Sequence, residues 1–348
     1  VNGAQALFFA GLLLRGLAGL PADPPPGFPA PRVPPANPMS AVKVELGRRL
    51  FYDARLSGNG TQSCASCHEQ ARAFTDGRPR AVGSTGALHP RAAMSLANAA
   101  YSASLTWADP KVRSLEDQAV VPLTNEHPVE MGVRGHEKEV VARLRAEPFY
   151  RDFFPRAFPG QPDPITLANA RRAIASFERT IVSGDSAYDR LVWRDDSVGF
   201  SEAARRGMSL FFSDRLACAK CHGGFTFAGA EVWRGGPAVA PRLVNNGISS
   251  GGRFKPPTLR NISATAPYMH DGRFATLEDV VDHYARGGEP APGRSPLVRG
   301  FALTAAEKCD LIAFLESLTD EEFLRNPALS DPWKAEPARA WGQVYVIH

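Results

Sequence analysis

The chain carries the same ten-residue frame twice. "GRRLFYDARL" (Gly47 to Leu56) and "GMSLFFSDRL" (Gly207 to Leu216) align without a gap as G-x-x-L-F-aromatic-x-x-R-L, 160 residues apart. Each frame reads as a helix that runs within a few residues into C-x-x-C-H. The first motif is Cys64, Cys67 and His68 in "SCASCHEQ"; the second is Cys218, Cys221 and His222 in "ACAKCHGG". Self-similarity at so long a period implies two related units. The chain is therefore expected to fold as two similar halves, each arranged around one motif, with the boundary near residues 160–190.

C-x-x-C-H is the attachment signature of a c-type haem. Two thiols reach the two vinyl groups of one porphyrin, and the adjacent imidazole swings beneath the ring to ligate iron. Two rivals use the same cysteines. A four-cysteine zinc site would take both pairs but has no need of a histidine after each. A thioredoxin-like redox pair wants a βαβ setting, which the sequence lacks. Histidine is 8 of 348 residues, so finding it behind both pairs by chance is roughly one in two thousand. Two covalent haems c are expected, with His68 and His222 as axial ligands. The fifth cysteine, Cys309, falls in a helical stretch and is expected to be a buried thiol.

The rest of the chain reads as mainly helical. "SAVKVELGRRLFYD" sets Val42, Val44, Leu46 and Leu50 among charges. "HEKEVVARLRAEPFYRDFF" and "PITLANARRAIASFERTIV" each read as a helix, the second with Pro164 in its first turn. "SEAARRGMSLFF" starts from Ser201 as N-cap. "TLEDVVDHYARGG" starts at Thr276 and stops at Gly287. "TAAEKCDLIAFLESLTD" opens with Thr304 and Glu307 as a capping box. Strand signals are short, so little sheet is expected. The predicted organisation is a signal-peptide-like segment at 1–21, a proline-rich linker at 22–38, haem domains at 39–165 and 166–325, and an extension at 326–348. The apolar N-terminal run points to export to the periplasm, with cleavage or with an N-terminal anchor as the outcome. A net charge of +4, dispersed along the chain, gives no basis for nucleic-acid binding.

A protein with two haems is an enzyme only if one iron keeps an open position beside an acid–base group. Carboxylate candidates lie between the motifs, in "SLEDQAVVPLTNEHPVEMG". Of these, Glu130 has the most apolar setting, "PVEM".

Over residues 40–325 the chain resembles the bacterial dihaem cytochrome c peroxidase and MauG superfamily. The carrying stretches are "LFYDARLSGNGTQSCASCH", "LEDQAVVPLTNEHPVEMG", "GRFKPPTLRNISATAPYMHDGRFATLEDVVDHY" and "DLIAFLESLTD". "STGALHPRAAMSLANAAYS", "HYARGG" and "GFALTAAEKCDLIAFLESLTDEEFLRNPALSDPW" look most like the MbnH-type enzymes, which are encoded beside a copper-binding partner and oxidise a tryptophan of it to kynurenine. The resemblance implies that His68 is the proximal ligand of the haem that meets hydrogen peroxide. It makes Glu130 the distal acid–base, with Gln118 and Pro122 lining the same pocket. Trp107 would lie between the haems, although the family's following "DGR" is "ADP" here. Tyr284 would be the second ligand of the His222 haem, with His283, His270 and Met269 as rivals. A calcium site between the haems is implied by Thr265 and Pro267, but the family's "RN" pair is Arg91-Ala92 here. Where MauG has a tryptophan two residues before its second motif, this chain has Leu216. Trp193, Trp233, Trp333 and Trp341 are then the candidates for an exit route.

Three functions follow as expectations. The first is a peroxide-dependent oxidase that stores oxidising equivalents across both haems and acts on a partner protein, which would be a copper-binding periplasmic protein in the MbnH case. The second is a peroxidase fed by a small electron-donor cytochrome. The third is a dihaem electron carrier without catalysis. Tyr284 in place of Met speaks against the second, and Glu130 against the third.

Overall fold

The computed structural model describes residues 23–248 and 252–334. Among them are ten α-helices, several single 3₁₀ turns and only isolated β-bridges, so the mainly helical expectation holds. No helix among the described residues is long and apolar enough to cross a membrane. The signal-peptide-like segment, Trp341 and most of the C-terminal extension lie outside the described residues.

The helices are α1 (Ala41–Phe51), α2 (Leu115–Gln118), α3 (Val120–Thr124), α4 (Glu137–Ala146), α5 (Pro148–Ala157) and α6 (Leu167–Glu178). There follow α7 (Ala187–Arg194), α8 (Glu202–Phe212), α9 (Leu277–Ala285) and α10 (Ala305–Glu316). Their starts follow the side chains that can satisfy free N–H groups. Ser201 caps α8, and Thr276 and Thr304 cap α9 and α10 through full capping boxes with Asp279 and Glu307.

Two sequence-based boundaries need correction. "HEKEVVARLRAEPFYRDFF" forms two helices, α4 and α5. Pro148 has no N–H to continue α4, and it forces Glu147 into an extended conformation (φ −80°, ψ 121°). Pro164 lies before α6, whose N-cap is Thr166. Cys309 is exposed and not buried. The inward face of α10 begins one residue later, with Asp310, Leu311, Ile312, Phe314 and Leu315.

The repeated frame corresponds to a repeated packing unit. α1 crosses α6 at Gly47, where an added Cβ would sit 1.9 Å from the carbonyl oxygen of Ala173. α8 crosses α10 at Gly207, where a Cβ would sit 1.9 Å from the carbonyl oxygen of Asp310. Glycine is needed at both because backbone meets backbone. The frame's phenylalanines, Phe51 and Phe211, and its closing leucines, Leu56 and Leu216, are buried in two separate apolar cores. The frame's arginines close the unit in the same way, Arg55 on Glu147 and Arg215 on Glu307.

Two terminal stretches dock onto this framework, one in a small third cluster and one on the first core. Phe28, from the proline-rich segment, is buried between Tyr101 and Phe225. Phe323, Leu329 and Trp333 pack on the first core, and the Trp333 indole N–H donates to the carbonyl of Arg49 at 3.1 Å. Sequence therefore returns to the first half after passing through the second.

Candidate haem sites

Each C-x-x-C-H opens with one 3₁₀ turn, Cys64–Ser66 in the first half and Cys218–Lys220 in the second. The turn brings both thiols and the histidine to the wall of one cavity. The first cavity has a volume of about 530 Å³ and takes in Cys64, Cys67 and His68. The second, of about 190 Å³, takes in Cys218, Cys221 and His222. The two cysteine pairs thus face different cavities, and among the described residues no group of three or more His, Cys, Asp or Glu side chains converges on a metal position. The four-cysteine zinc alternative is not formed.

The histidines are oriented alike. His68 Nδ1–H donates to the carbonyl of Phe74 at 2.8 Å. His222 Nδ1–H is shared between the carbonyls of Phe227 and Pro257, both at 3.2 Å. With Nδ1 engaged as a donor, Nε2 is left as the bare lone pair that an iron requires. Burial holds both imidazoles below their ordinary pKa, which keeps them neutral. Burial also raises the thiols, Cys67 to about 11 and Cys218 to about 12, so they stand as neutral thiols ready for thioether formation. Two thiols, one bare imidazole nitrogen and a largely apolar wall in each cavity fit one covalent haem c apiece.

Beyond these shared parts the linings differ. The first cavity gathers Gln118, Pro122, Glu130 and Trp107 in its lining. Glu130 is anchored through its backbone: its carbonyl accepts from Ser84 N at 2.7 Å, and the next N–H, that of Met131, donates to the carbonyl of Pro122 at 2.8 Å. Burial raises the Glu130 carboxyl above its ordinary pKa, with an opposing hydrogen bond from Asn125. The same cavity holds two groups that the sequence reading did not single out. His89 accepts the Arg91 N–H on Nδ1 at 3.2 Å, so its proton is on Nε2, 3.7 Å from Glu130 Oε1. Glu178, at the end of α6, is 5% exposed and has an unpartnered Oε2. Burial pushes its pKa up to about 8.

Among the described residues, no carboxylate lines the second cavity. Leu277, Val280, Val281 and Tyr284, the stripe expected on one face of α9, all border it. Burial pushes the Tyr284 phenol up to about 12. Asn246 Nδ2 donates to Tyr284 Oη at 3.3 Å and to Met269 Sδ at 3.6 Å, a link invisible in the sequence. Of the rival ligands, Met269 and His270 border the cavity. His283 is not in its lining; its Nε2 is 3.0 Å from the carbonyl of Asn246. Leu216 borders this cavity and is buried.

Trp107 borders both cavities. Its indole N–H donates to the carbonyl of Ala92 at 2.9 Å, which fixes the ring. Thr265 and Pro267 border neither cavity, and the Thr265 hydroxyl donates to the carbonyl of Ile262 at 3.0 Å. Of the other tryptophans, Trp193 is 44% exposed, Trp233 packs near Phe225, and Trp333 lies against the guanidinium groups of Arg49 and Arg55.

Comparison with known proteins accords with this geometry. A family profile described as di-haem cytochrome c peroxidase matches residues 41–197. The methylamine utilization protein MauG of Methylorubrum extorquens is 38% identical over 299 residues, covering 83% of this chain and 81% of that protein. The cytochrome-c peroxidase IdrP1 of Pseudomonas sp. (strain SCT) is 35% identical over 356 residues, covering 91% of each. Among solved structures, a MauG-like protein associated with microbial copper homeostasis is 42% identical with a TM-score of 0.86, covering 90% of this chain and 99% of that one. With two cavities that each gather two thiols and a histidine, and with these relatives, the chain belongs to the di-haem cytochrome c peroxidase and MauG family.

Proposed function

We propose that this protein is a periplasmic, peroxide-dependent dihaem oxidase that takes its electrons from a residue of a partner protein, with a tryptophan converted to kynurenine as the leading case. Family membership carries the coarser statement, a haem-dependent oxidoreductase using peroxide. The observation that supports the finer reading is the asymmetry of the two linings. Carboxyl groups border the first cavity, while the second presents the Tyr284 phenol and, among the described residues, no carboxyl group.

The haems, when bound, supply the redox chemistry, accepting two oxidising equivalents as peroxide is reduced to water. The residues supply protons, orientation and insulation. Breaking the O–O bond of hydrogen peroxide requires a proton to leave one oxygen and reach the other, so that the departing oxygen leaves as water. Glu130 is the group for this transfer: it borders the roomier cavity, and its raised pKa brings it nearer to neutral pH, where a carboxyl both accepts and returns a proton efficiently. His89, whose Nε2 lies 3.7 Å from Glu130 Oε1, shares this part of the cavity. Gln118 and Pro122 shape the same space. Trp107, fixed through Ala92 and bordering both cavities, is the aromatic path between them.

Tyr284 is proposed as the residue that, with His222, would hold the iron of a haem in the second cavity. A phenol pushed up to about 12 gives up its proton only where a cation opposes burial, and a ferric centre provides that charge. A tyrosinate donates charge and suits storage of oxidising equivalents. Similarity to a MauG-like protein associated with copper homeostasis favours a copper-binding protein as partner. Similarity to IdrP1 favours the second reading, a peroxidase fed by a small cytochrome.

The test is Glu130→Gln in holoprotein carrying both haems. Spectral change on mixing with peroxide should slow by about 10²-fold or more, the usual size of a general acid–base contribution. An unchanged rate assigns the proton to another group.

A further inference from the structure

Among the described residues, only two border both cavities, Trp107 and Lys255. They are joined directly, because the Lys255 backbone N–H donates to the carbonyl of Trp107 at 2.8 Å. Lys255 is also two residues from Pro257, whose carbonyl accepts from His222. Its ammonium donates to Ser102 Oγ at 2.9 Å and to the Ser104 carbonyl at 3.0 Å. Both acceptors are neutral, and an ammonium has three N–H groups.

Among the described residues, no carboxylate lies within ion-pair distance of Lys255. Burial draws its pKa down to about 8, and no anion among the described residues opposes that pull. It is still mainly charged at pH 7. A desolvated cation with no counter-ion is costly, so the position makes physical sense only with an anion brought by something else. Haem c carries two propionates on the edge opposite the thioether bonds. The four thiols lie on walls that each belong to one cavity, whereas Lys255 lies on the wall they share. Arg91, another cation in this region, borders the first cavity alone.

We propose that Lys255 is the counter-cation for haem propionates at the seam between the two cavities, and that it links the potentials of the two haems electrostatically. Lys255 is then a positioning residue for both cofactors. The proposal rests on the two-haem reading and goes beyond it by giving the seam its charge.

The test uses holoprotein whose two covalent haems are verified by mass spectrometry, so that a protein with fewer haems overturns the underlying reading first. Spectroelectrochemical titration then compares Lys255→Met, which keeps the stem and removes the charge, with Lys255→Arg, which keeps the charge. Losing a cation beside a redox centre favours its oxidised form. Both midpoint potentials should therefore fall in Lys255→Met and return close to the parent values in Lys255→Arg. Unchanged potentials, a fall at one haem only, or an Arg variant as low as the Met variant would each overturn the proposal. If Lys255→Met does not accumulate, resonance Raman of the parent and Lys255→Arg reads the same contact. The propionate bending band should move when guanidinium replaces ammonium, and a band that stays fixed would count against it.

Discussion

Replacing Gly207 by Ala tests whether the helix crossing sets the geometry of the second attachment site. The new Cβ would meet the Asp310 carbonyl oxygen at 1.9 Å, its carbon at 2.5 Å and Phe314 Cβ at 2.9 Å. Ordinary contact begins near 3.4 Å, so α8 and α10 must part by about 1.5 Å (3.4 − 1.9) at the crossing. The obstacle is backbone, which cannot rotate away as a side chain would. Parting the helices also loosens Phe314, Leu311 and Leu315, all buried against α8 and its neighbours. Overpacking of this kind costs about 1–3 kcal/mol. Alanine returns about 1 kcal/mol through its better helix propensity. With backbone as the obstacle the cost belongs at the upper end, giving a net loss of about 2 kcal/mol. The assay is guanidinium unfolding followed by far-ultraviolet circular dichroism and by haem absorbance, with Ser209→Ala, on the exposed side of α8, as control. The control should stay within about 0.5 kcal/mol of the parent. Gly47→Ala, facing the Ala173 carbonyl at the same 1.9 Å, should lose a similar amount. Parent-like midpoints for both glycine variants would show that the repeated glycines are not there to let backbones meet.

Glu178→Gln should stabilise the protein at pH 7 and flatten its pH dependence. A folded pKa of about 8 lies above the ordinary carboxylate value of 4.5, so the native state keeps a proton that the unfolded chain releases. Stability therefore falls as pH rises from about 4.5 to about 8, and at pH 7 the cost is about 3 kcal/mol. Denaturant midpoints across that range check it, and a parent whose midpoint does not fall would refute a protonated Glu178. Tyr284→Phe should change the electronic spectrum of the His222 haem and leave that of the His68 haem as in the parent. An unchanged second-haem spectrum would move the ligand assignment to Met269 or His270.

What could be read from the sequence was what local chemistry determines. The thiols and histidines of each motif are adjacent in the chain, so their convergence needs no tertiary information. Caps such as Ser201 and Thr276 act within one turn. The α9 stripe ending in Tyr284 follows from helical periodicity, and its four residues do border one cavity. The missed residues owe their character to distant parts of the fold. Glu178 looks like a solvated helix-end acid beside Arg179, until α6 packs at the first cavity and buries it. Lys255 resembles any loop lysine until Ser102 and Ser104, about 150 positions earlier, enclose its ammonium. The exposure of Cys309 is not legible in the sequence, because "KCDLIAFL" gives no strong sign of which flank of the apolar run turns outward. The break between α4 and α5 is legible in Pro148, which has no N–H to continue a helix.

The duplication also extends further than the ten-residue frame. Phe74 and Phe227, whose carbonyls accept from His68 and His222, both adopt left-handed backbone (φ 62° and 55°). The residue before each is tied down by a hydroxyl: Ser95 donates to the Ala73 carbonyl at 2.7 Å, and Thr258 donates to the Thr226 carbonyl at 2.6 Å. Three residues after each hydroxyl comes a buried left-handed asparagine, Asn98 (φ 60°) and Asn261 (φ 59°). The two asparagines meet on Ser183: Asn98 Oδ1 accepts its N–H at 3.1 Å, and Asn261 Nδ2 donates to its Oγ at 2.9 Å. Thus the glycine crossing, the attachment turn, the carbonyl that orients the histidine, the hydroxyl that pins that carbonyl's loop and the asparagine at the seam are all duplicated. What differs is the rest of each cavity's lining. Glu130, Glu178 and His89 occur in the first half, and Tyr284, Asn246 and Met269 in the second. A scaffold this closely repeated would give two equivalent haem sites by default. Any division of labour between them must therefore come from those differing side chains, and substitutions there should separate the two haems' properties while substitutions in the repeated parts should disturb each half alike.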